Sequence, residues 1–161
     1  MMITIKWRPM TQVSQVAIAT PLAVGAGAVL CTIFIHALAF GATVNFFRRE
    51  LRLKHTGRYF IDFAIVVQVI IFSFVAHVLE VALWAWLFMI CGEFKQFGPA
   101  FYHSGVNYTT LGYGDVIMGP SWKLLGPLEA ADGSLMFGVS TAMIFAVTLR
   151  LVQLRFADLA D

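Results

Sequence analysis

Charged residues are scarce in this chain of 161 residues: Asp, Glu, Lys and Arg make up 12% of it, against about 25% in an ordinary soluble domain. Hydrophobic residues make up 60%, and the mean hydropathy is +0.81. A water-soluble fold of this size could not cover its surface with so few charges. The composition therefore indicates an integral membrane protein. The net charge of +2 is too small to suggest nucleic acid as a partner.

Several other classes of function lack their usual sequence features. The two cysteines, Cys31 and Cys91, are too few for a disulfide framework and lie in apolar runs. We find no nucleophile–base constellation, phosphate loop or metal-ligand cluster, so we expect neither an enzyme nor a cofactor. The first apolar segment has no Arg or Lys at every third position, which argues against a voltage sensor. Only eight residues follow Gln153, so we expect no nucleotide-binding or calcium-sensing domain there.

Three apolar segments are long enough to cross a bilayer, which takes about 20 helical residues. The sequence predicts an N-terminal arm over 1–20, an extra transmembrane helix over 21–47 and a basic loop over 48–58. A second unit over 59–153 contains the other two long segments, at 59–92 and 122–153, and a short tail covers 154–161. Residues 93–123 are rich in Gly, aromatic and hydroxyl residues and too polar to span.

The distribution of basic residues predicts the orientation. Five of them crowd the connection between the first two segments: Arg48, Arg49, Arg52, Lys54 and Arg58. The positive-inside rule places this connection in the cytoplasm. The N-terminus and residues 93–123 are then outside, and the C-terminus is cytoplasmic.

Residues 109–115 read TTLGYGD, between the second and third apolar segments. This string resembles the signature of potassium channels and differs from its commonest form only by Leu111, where Val is usual. The resemblance covers roughly residues 60–153. It implies an all-α membrane protein with three transmembrane helices, a re-entrant pore helix over 98–109 and a filter loop over 110–115. It also implies a homotetramer in a bacterial plasma (inner) membrane, whose only bound species is the transported K⁺.

The chemistry of the motif explains its residues. A potassium ion that sheds its water needs equivalent oxygen ligands along a narrow path. Backbone carbonyls supply them if successive ones point the same way, which requires alternating right- and left-handed conformations. Glycine enters the left-handed region cheaply, and Asp115 would concentrate cations at the outer mouth. The predicted filter comprises Thr109, Thr110, Leu111, Gly112, Tyr113, Gly114 and Asp115, with K⁺ on the carbonyls of Thr110, Leu111, Gly112 and Tyr113.

The resemblance assigns further roles around this filter. Tyr102 and His103 fall where two aromatic residues of the pore helix support the filter, and His103, in place of the usual Trp, is expected to bond to Tyr113 of a neighbouring subunit. Val106 stands where some relatives carry a carboxylate. On the third long helix, Gly133 falls on a hinge glycine; close helix packing explains it equally well. Three residues are expected to face the central cavity: Ser134, Phe137 and Thr141.

Four ionisable residues lie well inside the second and third long segments, away from their ends, where such groups are costly. His77 and Glu80 share one helix face, as do Glu129 and Asp132, at similar depths. We predict a polar network of these four side chains behind the filter, with at least one carboxyl protonated. Alternatively, each meets a backbone group or water separately. His36 is expected to be a solitary neutral histidine without metal-binding partners, and Asp62 to pair with Arg58 or lipid headgroups.

Three functions remain open from the sequence. The first is a potassium-selective channel subunit that conducts passively in a lipid bilayer. The second is a weakly selective cation channel on the same scaffold, since Leu111 and His103 could loosen the support of the filter. The third is a non-conducting regulatory or scaffold subunit.

Overall fold

The computed structural model describes residues 17–52 and 59–157, and every regular element in these two ranges is an α-helix. The helices are α1 Ala19–Arg52, α2 Tyr59–Ile90, α3 Phe97–Tyr108 and α4 Leu125–Ala157. Three of them, α1, α2 and α4, are long and apolar enough to cross a membrane. The predicted all-helical membrane fold is therefore confirmed. Most of the predicted N-terminal arm, the second half of the basic loop and the end of the tail lie outside the described residues.

The helix ends differ from the predicted limits for local chemical reasons. Helix α1 continues through the first five residues of the predicted basic loop, because basic side chains stabilise a helix C-terminus. Helix α2 ends where Gly92, at φ +80°, and the Glu93 N–H, which donates to Phe88 O, form a Schellman motif. Residues 121–124 are turns rather than helix, so α4 begins at Leu125.

Helix α3 is short and is held between α2 and α4. Pro99 lies in the first turn of α3. A backbone N–H in that turn has no partner within the helix, so proline costs no hydrogen bond there. Ala100, Ser104 and Tyr108 recur every four residues and are all fully buried, so they form the face that α2 and α4 cover. This face fixes the position at which the chain leaves α3 and enters residues 109–115.

The core lies around the C-terminal half of α2. Its largest fully buried side chains include Trp84, Phe88, Tyr108 and Leu125, from α2, α3 and α4. By contrast, large apolar side chains such as Phe34, Phe74 and Phe145 are about two-thirds exposed on the single chain. In a membrane protein such surfaces meet lipid or neighbouring chains.

The described arginines lie toward the end of the bundle that is away from residues 109–115. Arg49 and Arg52 lie in the last turn of α1, and Asp62 lies in the first turn of α2. Arg155 Nη2, near the end of α4, is 3.8 Å from Asp62 Oδ2. Asp62 thus pairs with a basic residue of α4, whereas Arg58, the predicted partner, lies outside the described residues.

Candidate functional site: the pore loop and the buried polar groups

The pore loop, residues 109–115, begins with hydrogen bonds to the last turn of α3. The Thr110 N–H donates to Asn107 O at 2.8 Å. The N–H groups of Leu111 and Gly112 both donate to Val106 O, at 3.0 and 3.2 Å. These bonds anchor the first half of the loop to the helix end, where the carbonyl groups carry partial negative charge that favours a cation.

The backbone of the pore loop alternates in handedness. Thr110, Gly112 and Gly114 have φ of +59°, +60° and +73°, and Leu111 and Tyr113 between them do not. The two glycines therefore adopt the left-handed conformation predicted for them. Thr110 was missed, because a β-branched residue is strained there; the spacing of two from Gly112 was the signal that could have identified it. Such alternation turns successive carbonyls toward the same side of the chain.

The pore loop is only partly covered by its own chain. The side chains of Leu111 and Tyr113 are 54% and 66% exposed. Both side chains are therefore available for contact with another surface. The predicted role of Tyr113 in bracing the filter against the pore helix stays a prediction.

Asp115, at the end of the pore loop, is held by α3 and by the backbone. Its Oδ2 accepts a hydrogen bond from the Tyr102 hydroxyl at 2.8 Å, and its Oδ1 accepts one from the Val116 N–H at 3.1 Å. The hydrogen bond to Asp115 raises the pKa of Tyr102, because deprotonation would remove this bond and place a phenolate beside the Asp115 carboxylate. Tyr102 thus fixes the orientation of a carboxylate next to the loop.

His103, the other predicted support residue, is buried on a different face of α3. Its ring lies 5.5 Å from that of Phe88 and 5.2 Å from that of Phe94. Burial lowers the pKa of His103, so the neutral form is favoured. Its Nε2 is 3.0 Å from Nδ2 of Asn107, whose amide donates. The predicted bond from His103 to Tyr113 of a neighbour is not tested by these contacts.

Gly133 lies against the end of α3. A Cβ added there would be 2.1 Å from Tyr108 O and 2.9 Å from Tyr108 C. Backbone atoms cannot move aside as a side chain can, so only glycine allows α4 this close to the residue that precedes the pore loop. This contact gives the glycine a packing reason, and the hinge role stays a prediction.

The three predicted cavity residues lie on one exposed face of α4, while Glu129 and Asp132 are buried. The hydroxyls of Ser134 and Thr141 donate to the carbonyls of Ala130 and Phe137, four residues earlier. Phe137 also reaches inward, with its ring 4.6 Å from that of His77. The exposed face is available to line a cavity, and that role remains a prediction.

The predicted buried residues divide into three hydrogen-bonded groups. In the first, the His-Glu ring, the His36 Nδ1 is 3.0 Å from Glu80 Oε1 and the His77 Nδ1 is 3.1 Å from Glu80 Oε2. Ser140 Oγ lies 3.0 Å from Nε2 of both histidines. The Tyr108 hydroxyl donates to Glu80 Oε2. The ring thus joins all four helices.

The prediction for His36 is wrong. Its ring is buried and contacts Glu80 of α2 and Ser140 of α4, and it belongs to a cluster of three possible metal ligands with His77 and Glu80. The sequence argument considered only partners at helical spacing on α1. The partners come instead from two other helices, which the sequence does not place beside it.

The other two groups hold the acidic residues of α4. Asp132 accepts hydrogen bonds from Trp84 Nε1 at 2.9 Å and from the Thr32 hydroxyl at 3.0 Å. Glu129 Oε1 is 2.5 Å from Ser104 Oγ, which also lies 2.8 Å from Val81 O. Ser104 has one proton, so both contacts are hydrogen bonds only if the Glu129 carboxyl is protonated and donates.

The structure brings His77 and Glu80 together as predicted. It places Glu129 and Asp132 in hydrogen-bonded groups of their own, each with partners on other helices. Within the described residues, the carboxylates are bonded to histidine, hydroxyl and indole groups rather than to each other. Thr32, Trp84 and Ser104 are hydrogen-bond partners that the sequence did not indicate, because hydroxyl and indole donors have no distinctive spacing.

One known family resembles part of this region. Residues 76–150 match a family model described as an ion channel. The match begins in the middle of α2, includes α3 and the pore loop, and ends near the end of α4; it leaves α1 out. It supports a channel function and suggests a protein that is not an enzyme. No curated protein and no solved structure matches the chain.

The hydrogen bond from the Trp84 indole to Asp132 leads to a prediction about stability. We expect Trp84→Phe to destabilise the fold by about 1–3 kcal/mol, because Asp132 Oδ2 loses its donor while buried. Chemical denaturation in detergent, followed by circular dichroism, measures this change. Trp86→Phe, at a residue 59% exposed on the same helix, should stay within about 0.5 kcal/mol. Equal losses for the two variants would contradict the role of the indole N–H.

Proposed function

We propose that the chain is one subunit of a tetrameric, potassium-selective channel that conducts K⁺ passively, with residues 109–115 as its selectivity filter. The observation that carries the proposal is the alternation of left-handed residues at Thr110, Gly112 and Gly114 within TTLGYGD. A row of carbonyls turned to one side replaces the hydration shell of a potassium ion. The ion-channel match over residues 76–150 supports the same reading of this region.

The exposure of the pore loop supports assembly of several chains. Each chain has one such loop and offers carbonyl oxygens from one side only, so an ion needs further copies to complete its coordination. Four copies around one axis supply equivalent ligands at each level. Leu111 and Tyr113, exposed on the single chain, would then be covered by neighbouring subunits.

The charge distribution supports an orientation in a bacterial plasma membrane with the C-terminus in the cytoplasm. The basic ends of α1 and α4 lie at one end of the bundle, as the pairing of Arg155 with Asp62 requires. The positive-inside rule places this end in the cytoplasm. The N-terminal end of α1 and the pore loop then face outside, where Asp115 attracts cations to the entrance of the filter.

Flux through the purified wild-type protein in liposomes tests this function. We expect barium-sensitive K⁺ currents whose reversal potential follows the K⁺ gradient in mixtures of K⁺ and Na⁺. A reversal potential that follows both ions equally would identify a weakly selective cation channel. Absence of ion flux in repeated preparations would favour a non-conducting subunit. The mass of the detergent-solubilised assembly is the second measurement, and a monomer or dimer would contradict the proposal.

A further inference from the structure

The His-Glu ring places three potential metal ligands at one point between α1 and α2. One ligand atom from each of His36, His77 and Glu80 lies within 4.8 Å of the other two. Glu80 is fully buried and His36 is 3% exposed. We propose that these three side chains bind one divalent transition-metal ion of the zinc class, at a site separate from the pore loop.

The distances suit such an ion. Ligands about 2.0–2.1 Å from zinc at tetrahedral angles lie about 3.3 Å from each other. The His36 Nδ1 and His77 Nδ1 are 3.0 and 3.1 Å from the oxygens of Glu80. The three ligand atoms lie within 4.8 Å of one another, so side-chain movement that brings the two Nδ1 atoms to ligand spacing would place an ion between them and the carboxylate. The Tyr108 hydroxyl, 3.1 Å from His77 Nδ1, lies next to the remaining position.

The hydrogen bonds of the ring are also compatible with an ion. The two histidines make four contacts, two with Glu80 and two with Ser140 Oγ. Two neutral imidazoles and one hydroxyl offer three protons for these four contacts, so either one imidazolium or an ion is needed to satisfy them all. With an ion on both Nδ1 atoms, each Nε2 carries its proton and donates to Ser140 Oγ, which has two lone pairs. Ser140 then orients both ligands, as outer hydrogen-bond acceptors do in metal sites.

The donor set indicates the class of ion. Two imidazoles with one carboxylate suit zinc and its first-row neighbours, whereas Mg²⁺ and Ca²⁺ prefer oxygen ligands. The charge of the ion would also offset the buried carboxylate. A groove of about 260 Å³ between α1 and α4, lined in part by Ile33, Met136 and Val139, borders His36.

Zinc titration of the purified, chelator-treated full chain tests the site without any use of conduction. We expect about one zinc ion per chain, with a Kd of about 1 μM or tighter in competition with a chromophoric chelator. His36→Gln, His77→Gln and Glu80→Gln should each weaken binding at least about 100-fold, and Ser140→Ala about tenfold. His103→Gln, which removes a histidine outside the ring, is the matched control and should bind as the wild type does.

A second measurement covers the case in which the ligand variants fail to fold. Zinc-edge X-ray absorption of the wild-type complex should show scattering from two imidazoles and no sulfur ligand. Absence of zinc binding by the wild type would overturn the proposal. Binding that all three ligand variants retain, or a spectrum without imidazole, would overturn it as well. Because the readout is binding, these results stand apart from any failure of potassium flux.

Discussion

Gly133→Ala is expected to destabilise the folded chain by about 3 kcal/mol, at the upper end of the usual cost of overpacking. The added Cβ would lie 2.1 Å from Tyr108 O and 3.1 Å from Tyr108 Cδ1. The carbonyl is backbone at the end of α3, so relief requires α4 or the whole of α3 to shift. Either shift also moves Thr109 and the pore loop that follows it. Thermal or chemical unfolding in detergent measures the loss.

Gly41→Ala is the matched control for this substitution. Gly41 lies inside α1, where an added Cβ meets no atom within 4 Å. Alanine in a helix interior is favoured over glycine by up to about 1 kcal/mol, so this variant should be as stable as the wild type or more so. If Gly133→Ala also unfolds at the wild-type midpoint, α3 and α4 are not packed as closely as the structure has them.

The sequence predicted the helices well because their signals are local. Long apolar segments marked α1, α2 and α4, and Pro99 marked the first turn of α3. The conformations of Gly112 and Gly114 followed from the chemistry of the TTLGYGD string itself. The choice between hinge and packing at Gly133 could not be made, because it depends on where the Tyr108 carbonyl lies in space.

The buried polar groups were predicted less completely because their partners are distant in the chain. His36 meets Glu80 across 44 residues and Ser140 across 104. Periodicity identifies which residues share a helix face, as it did for His77 and Glu80. Periodicity does not say which faces of different helices meet. The packing of the helices brings Asp132 to Trp84 and Thr32 rather than to another carboxylate.

Gly112→Ala is expected to abolish selective K⁺ flux in liposomes. Gly112 has φ +60°, and an L-residue with a Cβ costs about 1–2 kcal/mol in that conformation. In the proposed tetramer the substitution occurs four times around one axis, so the total strain is about 4–8 kcal/mol. A filter that relaxes this strain turns carbonyls away from the ion path, and the site then no longer compensates for the lost hydration.

Gly98→Ala separates this effect from a general loss of folding. Gly98 lies in the first turn of α3 with ordinary backbone geometry, and an added Cβ there meets nothing within 4 Å. We expect this variant to retain wild-type K⁺ flux and reversal potential, while Gly112→Ala falls to the level of empty liposomes. Both variants should show the same assembly mass and helical content, because residue 112 lies outside the helices. Selective flux through assembled Gly112→Ala would mean that the carbonyls of this loop are not the ligands of the conducted ion.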